Sequence, residues 1–137
     1  MDRVQLLEKA KEARKNAYAP YSHFQVGAAL LAEDGTVFTG CNIENATYSA
    51  TNCAERTAFF KAVSEGVYQF KAIAIVGAPQ GEETRECCPP CGICRQVMME
   101  FCKPDAFEII LEDGTGGFGV YTLAQLLPMG FGPDNLK

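Results

Sequence analysis

The chain has 137 residues and a formal net charge of −5, a length that suits one domain around one core. No stretch approaches the roughly 20 apolar residues needed to cross a bilayer, so no membrane partner is expected. The acidic balance, with no Lys/Arg-rich run, argues against a nucleic acid polymer as partner and for a small uncharged molecule.

Leu6, Ala10, Ala13 and Ala17 recur at helical spacing ahead of Pro20, which predicts a first helix over 3–18. Phe24 to Leu31 reads as a strand, and Asp34-Gly35 turns the chain into a second strand, Val37 to Cys41. The segment 42–52 is polar and irregular. Ala54 to Glu65 is predicted helical and stops at Gly66, and Phe70 to Ala78 is apolar enough for a strand buried on both faces. A charged loop, Gln80 to Glu86, leads to a third helix, Gly92 to Cys102, and a central strand, Phe107 to Leu111. After the turn Asp113 to Gly117 comes a short strand, Phe118 to Tyr121, and Thr122 caps a last helix ending at Pro128. Strands alternating with helices predict an α/β fold, a three-layer α/β/α sandwich around a mixed five-stranded sheet, as a single domain over 1–137.

The N-terminus, Met1-Asp2-Arg3-Val4, has no apolar signal region, which predicts a cytoplasmic protein. Seven cysteines then read as metal ligands before they read as a disulfide framework. Cys53-Ala54-Glu55 and Pro90-Cys91-Gly92-Ile93-Cys94 supply three thiolates for one Zn2+ and a carboxylate beside it. Three protein ligands keep the fourth position for water, which marks catalytic rather than structural zinc. A zinc deaminase pairs such a site with a Glu that is not itself a ligand and moves protons; Glu55 is that candidate. Cys53 and Cys91 both fall at helix starts, where the dipole favours thiolate. Arg56 is the candidate donor to the cysteine sulfurs, offsetting their charge.

Two rival readings stand beside this one: a redox Cys-x-x-Cys, which leaves Cys53 and Glu55 without a role, and a closed structural zinc with Cys87 or Cys88 as fourth ligand. Cys41 and Cys102 are expected as small core residues. His23 is not a ligand, since thiolates fill the set.

Further segments extend the pattern: Tyr21-Ser22-x-Phe24-x-Val26-Gly27-Ala28-Ala29-Leu30, Asn42-Ile43-Glu44-Asn45-Ala46, Cys91-Gly92-Ile93-Cys94-Arg95-Gln96-Val97, Leu126-Leu127-Pro128 and Phe131-Gly132-Pro133. With them the chain resembles the small, three-cysteine, homotetrameric cytidine deaminases over nearly all its length. The resemblance implies pyrimidine salvage, hydrolysing free cytidine and deoxycytidine to uridine and deoxyuridine with release of ammonia. Phe24 is expected as an apolar wall for the base and the Ala54 N–H as reader of the ring carbonyl. Asn42 and Glu44, two apart in an extended segment, project to one side and suit ribose hydroxyls; a carboxylate there repels a 3′-phosphate. The resemblance implies that the carbonyl of Pro89 meets the leaving amine, where the family often has Ser or Thr. It also implies that Ala46, Tyr48 and Phe131 reach into neighbouring subunits' sites in a homotetramer. A blasticidin-type deaminase and a non-enzymatic zinc module remain as alternatives.

Overall fold

The computed structural model describes residues 1–137. Five strands, β1 (Phe24–Ala32), β2 (Val37–Cys41), β3 (Phe70–Pro79), β4 (Glu108–Glu112) and β5 (Phe118–Thr122), form one sheet in the order β2-β1-β3-β4-β5. Every neighbouring pair is antiparallel except β3–β4, whose parallel pairing runs through helix α3 (Gly92–Phe101). Helix α1 (Arg3–Arg14) covers one sheet face; α2 (Ala54–Ser64), α3 and the short α4 (Leu123–Leu126) cover the other. The arrangement is the expected three-layer α/β/α sandwich on a mixed five-stranded sheet.

Each face carries its own apolar cluster. Beneath α1 lie Ala29, Ala72, Ala74, Val76 and Ile110, against Leu6, Leu7 and Ala10. Beneath α2 and α3 lie Leu30, Ile73, Ile75, Ile109 and Leu111, packed on Phe59 and Met98. The period of two along each strand sends alternate residues to opposite faces. α1 comes so close that a Cβ on Gly27 would sit 2.0 Å from the Ala10 carbonyl oxygen.

Four expectations change in detail. The first helix ends at Arg14, not at 18, because Tyr18 is drawn into pairing with the 42–44 segment: its N–H donates to Asn42 O and its carbonyl accepts from Glu44 N. The last helix stops at Leu126. Its Thr122 cap is as predicted, but Leu127 precedes Pro128 and is pushed out of the helical region. The strand expected over Phe107 to Leu111 is shifted one residue, with Phe107 packed into the core ahead of it. Cys102 is buried as expected, whereas Cys41 ends the edge strand β2 and is only half-buried.

Candidate metal and catalytic site

Cys53 and Cys91 are the N-cap residues of α2 and α3, both in extended backbone, and Cys94 lies buried in the first turn of α3. Their three sulfurs lie within 4.8 Å of one another, with Cys53 Sγ 3.9 Å from Cys91 Sγ. Two sulfurs at 2.3 Å on a tetrahedral zinc are separated by about 3.8 Å, so the spacing fits that ion. Neither Cys87 nor Cys88 joins the group. Cys87 is exposed, and Cys88 turns its sulfur over Gly77. The four-cysteine alternative is therefore not assembled.

The sheet edge fixes this geometry. Gly40 of β2 lies so close to α2 that a Cβ there would be 2.4 Å from Ala54 O and 2.6 Å from Ala58 N. Thr57 Oγ1 lies 3.0 Å from Cys41 O and 3.1 Å from Cys53 O, linking strand end to ligand. Arg95 Nε donates to Pro90 O at 2.7 Å and its Nη1 to Leu126 O at 2.6 Å, which pins the approach to Cys91.

Arg56 Nη2 lies 3.3 Å from Cys53 Sγ. Its Nε is buried and has no hydrogen-bond partner. The Cys53 thiol is pushed down to about 5, first by the hydrogen bond from Cys94 and then, against burial, by Arg56. Cys94 is pushed up by the same bond, by burial and by the Glu55 charge. The trio thus favours charge on Cys53. Glu55, the second residue of α2, is 4% exposed. Burial, reinforced by the Cys53 charge, pushes its carboxyl up to about 7, poised to take or give a proton near neutral pH.

Phe24 opens β1 opposite Pro79, the last residue of β3, and is 38% exposed. Ala54 is buried in the first turn of α2, where helix N–H groups have no intrahelical partner. Pro89 is exposed and Pro90 buried. Asn42 and Glu44 are more committed to the backbone than their spacing suggests. Asn42 Oδ1 accepts from Val26 N and its Nδ2 donates to Phe24 O, both at 2.9 Å. Glu44 accepts from the N–H groups of Tyr21 and Ser22 and from the Ser22 hydroxyl. The Ser22 hydroxyl bond, with those N–H groups, holds its carboxyl below the usual range.

A cavity of about 370 Å³ beside Glu44 is lined by Tyr21, Ser22, Glu44, Tyr48 and Thr51. A second, of about 480 Å³, lies at the opposite end of β3 among Arg3, Lys71 and Glu108, away from the sulfurs. Ala46 and Tyr48 are exposed, Tyr48 by 74%. Phe131 is 58% exposed.

Sequence reading missed what holds Phe131: Gln96 Nε2 donates to its carbonyl at 2.7 Å, and Met99, one turn along α3, packs at both Gly130 and Gly132. The i, i+3 pair of Gln96 and Met99 was readable as one helix face, but nothing in the sequence said what that face meets.

Residues 1–108 match the family model described as the cytidine and deoxycytidylate deaminase zinc-binding region. The chain belongs to this deaminase family. It is 53% identical over 137 residues to a cytidine deaminase from Sporosarcina psychrophila, covering 100% of this chain and 96% of that one. The crystal structure of cytidine deaminase from Burkholderia pseudomallei superposes with a TM-score of 0.86 at 50% identity, over 96% of this chain and 100% of the other. A blasticidin-S deaminase from Bacillus cereus is 31% identical over 129 residues, covering 92% of this chain and 89% of that protein. It is the more distant likeness.

Proposed function

We propose that the 137 residues act as one catalytic domain that deaminates free cytidine and deoxycytidine hydrolytically, giving uridine or deoxyuridine and ammonia. The observation that carries this reading is a buried carboxyl, Glu55, two residues from one member of a three-sulfur cluster that fits zinc. The family membership and the 53% identity to a cytidine deaminase support it.

Cys53, Cys91 and Cys94 would hold one Zn2+ per chain. The ion, when bound, supplies a Lewis acid that makes water nucleophilic near neutral pH. Glu55 takes a proton from the attacking water and delivers it to ring N3 as the oxygen adds at C4. It then carries the second proton to the departing amine, so that cytidine and water become uridine and ammonia. One buried carboxyl group beside the site can carry both protons in turn. Arg56 offsets the accumulated negative charge through Cys53 Sγ. Phe24 walls the base, the Ala54 N–H reads its carbonyl and the Pro89 carbonyl accepts from the amine.

Asn42 and Glu44 recognise the ribose. Their backbone bonds hold them in place for it: Glu44 stays ionised and rigid, and its charge repels a 3′-phosphate. In a homotetramer Ala46, Tyr48 and Phe131 complete neighbouring sites, which accords with their exposure. Seven cysteines without a disulfide suit a reducing cytoplasm, and deamination of a free nucleoside is a pyrimidine salvage reaction.

The test is loss of cytidine absorbance, with and without a chelator, in the protein and in Glu55→Gln. Glu55→Gln should keep its zinc and lose about 10²–10⁴ in kcat. Near-normal turnover in that variant, or unimpaired turnover after the metal is stripped, refutes the reading.

A further inference from the structure

Cys88 is half-buried and outside the sulfur cluster. β1 and β3 pair with Val26 opposite Gly77 and Phe24 opposite Pro79. Phe24 and Val26 share the strand face of Ala28 and Leu30, and Gly77 that of Ile73 and Ile75, so all three look towards α2 and α3. A Cβ built on Gly77 would lie 2.6 Å from Cys88 Sγ, 3.0 Å from Phe24 Cε1 and 3.2 Å from Cys88 Cβ. The missing side chain at Gly77 is therefore the hollow that both groups occupy. The two distances leave Sγ no more than about 5.6 Å from Cε1, which brings the sulfur into reach of the ring, such contacts being favourable at about 5 Å.

We propose that Cys88, seated over Gly77, is a positioning residue that holds the Phe24 ring in place as the wall of the base site. The inference rests on the reading of Phe24 given above. With one end of its ring sharing the hollow over Gly77 with Cys88 and 38% of its surface open, Phe24 presents a fixed apolar face. Removing the sulfur leaves a void beside the ring and frees other rotamers. Pro89 and Pro90 follow directly and stiffen the backbone that delivers Cys88. The thiol stays protonated: burial, and then the Glu55 charge, push it up to about 12. Cys88 therefore serves as a small polarizable packing group rather than as a nucleophile.

A double-mutant cycle tests this on the zinc-loaded protein, with KM and kcat for cytidine and zinc content measured for Cys88→Ala, Phe24→Ala and the double variant. Cys88→Ala should raise KM about two- to tenfold, the span expected of one sulfur–ring contact, with kcat and zinc little changed. In the Phe24→Ala background the same change should leave KM unaltered, because a residue acting through the ring has nothing left to act on. Cys88→Val, which refills the hollow with apolar bulk, should restore most of the affinity. Gly77→Ala, which drives a methyl into the hollow from the other side, should raise KM only while Phe24 is present.

Unchanged KM in Cys88→Ala, or effects of Cys88→Ala and Phe24→Ala that multiply, overturns the proposal. Loss of zinc in Cys88→Ala overturns it too and makes Cys88 a ligand. If Phe24→Ala itself leaves KM untouched, the reading of Phe24 as the base wall fails, and the role of Cys88 falls with it. Should Cys88→Ala fold poorly, Gly77→Ala with and without Phe24 decides the same question alone.

Discussion

Glu55 should cost the metal-free protein stability as pH rises, and replacing it with Gln should relieve that cost. Its carboxyl ionises near 4.5 when unfolded and near 7 when buried in the fold. Between those values the folded state binds the extra proton, so stability falls as pH climbs through the window and stays low above it. At 1.36 kcal/mol per pH unit the whole penalty is roughly 3 kcal/mol. Roughly 2 kcal/mol of it falls between pH 5.5 and 8.5, a range that avoids the isoelectric point near 4.9. Cys53 works in the opposite sense, since its thiol is held down to about 5 and favours folding increasingly from there towards 9. The pH slope of the wild-type protein alone therefore decides nothing. The difference between wild type and Glu55→Gln removes the Cys53 contribution to first order. Urea unfolding of both proteins, with chelator and reductant at fixed protein concentration, should show Glu55→Gln gaining roughly 2 kcal/mol on wild type from pH 5.5 to 8.5. A difference that stays flat over that range refutes the account of Glu55 as a buried carboxyl pushed towards neutrality.

Two further outcomes follow from the edges of the site. Glu44→Gln should relax the rejection of cytidine 3′-phosphate more than it speeds any nucleoside, measured as the ratio of kcat/KM values; an unchanged ratio removes Glu44 from that role. Gln96→Ala should keep its zinc and lose activity by loosening the Phe131 backbone, and hybrids refolded with Glu55→Gln chains should recover activity above the sum of the separate controls. No recovery in hybrids verified with tagged subunits means that Phe131 serves its own chain's site.

What the sequence made legible follows from how locally each feature is encoded. Short, nearly continuous apolar runs placed β1 and β3 within a residue or two because the residues that make such a strand are contiguous in the sequence. The Thr122 cap was readable for the same reason, its partner Gln125 being three residues away. The end of α1 was not: residues 15–17 have helical spacing, and only the distant 42–44 segment pulls Tyr18 away. Local propensity gives way there to a tertiary contact.

The same division runs through the site. Cys91 and Cys94 face one way because of their spacing, so they could be paired on paper; Cys53 could be added because a carboxylate follows it at short range. The side chains that hold those residues carry no such mark. Arg95 is one basic residue among twelve until Pro90 O and Leu126 O come within 2.7 Å of its guanidinium. Asn42 illustrates the limit from the other side. Its spacing from Glu44 suggested a free amide, yet an extended segment beside a strand offers the same amide a nearer partner in the β1 backbone. If Asn42 meets the ribose as proposed, its remaining Nδ2 hydrogen serves a hydroxyl, and binding needs no rearrangement of Asn42, because the bonds that occupy it also fix where that hydrogen points. Backbone-tied side chains of this kind give up freedom before the ligand arrives, which lowers the entropy lost on binding.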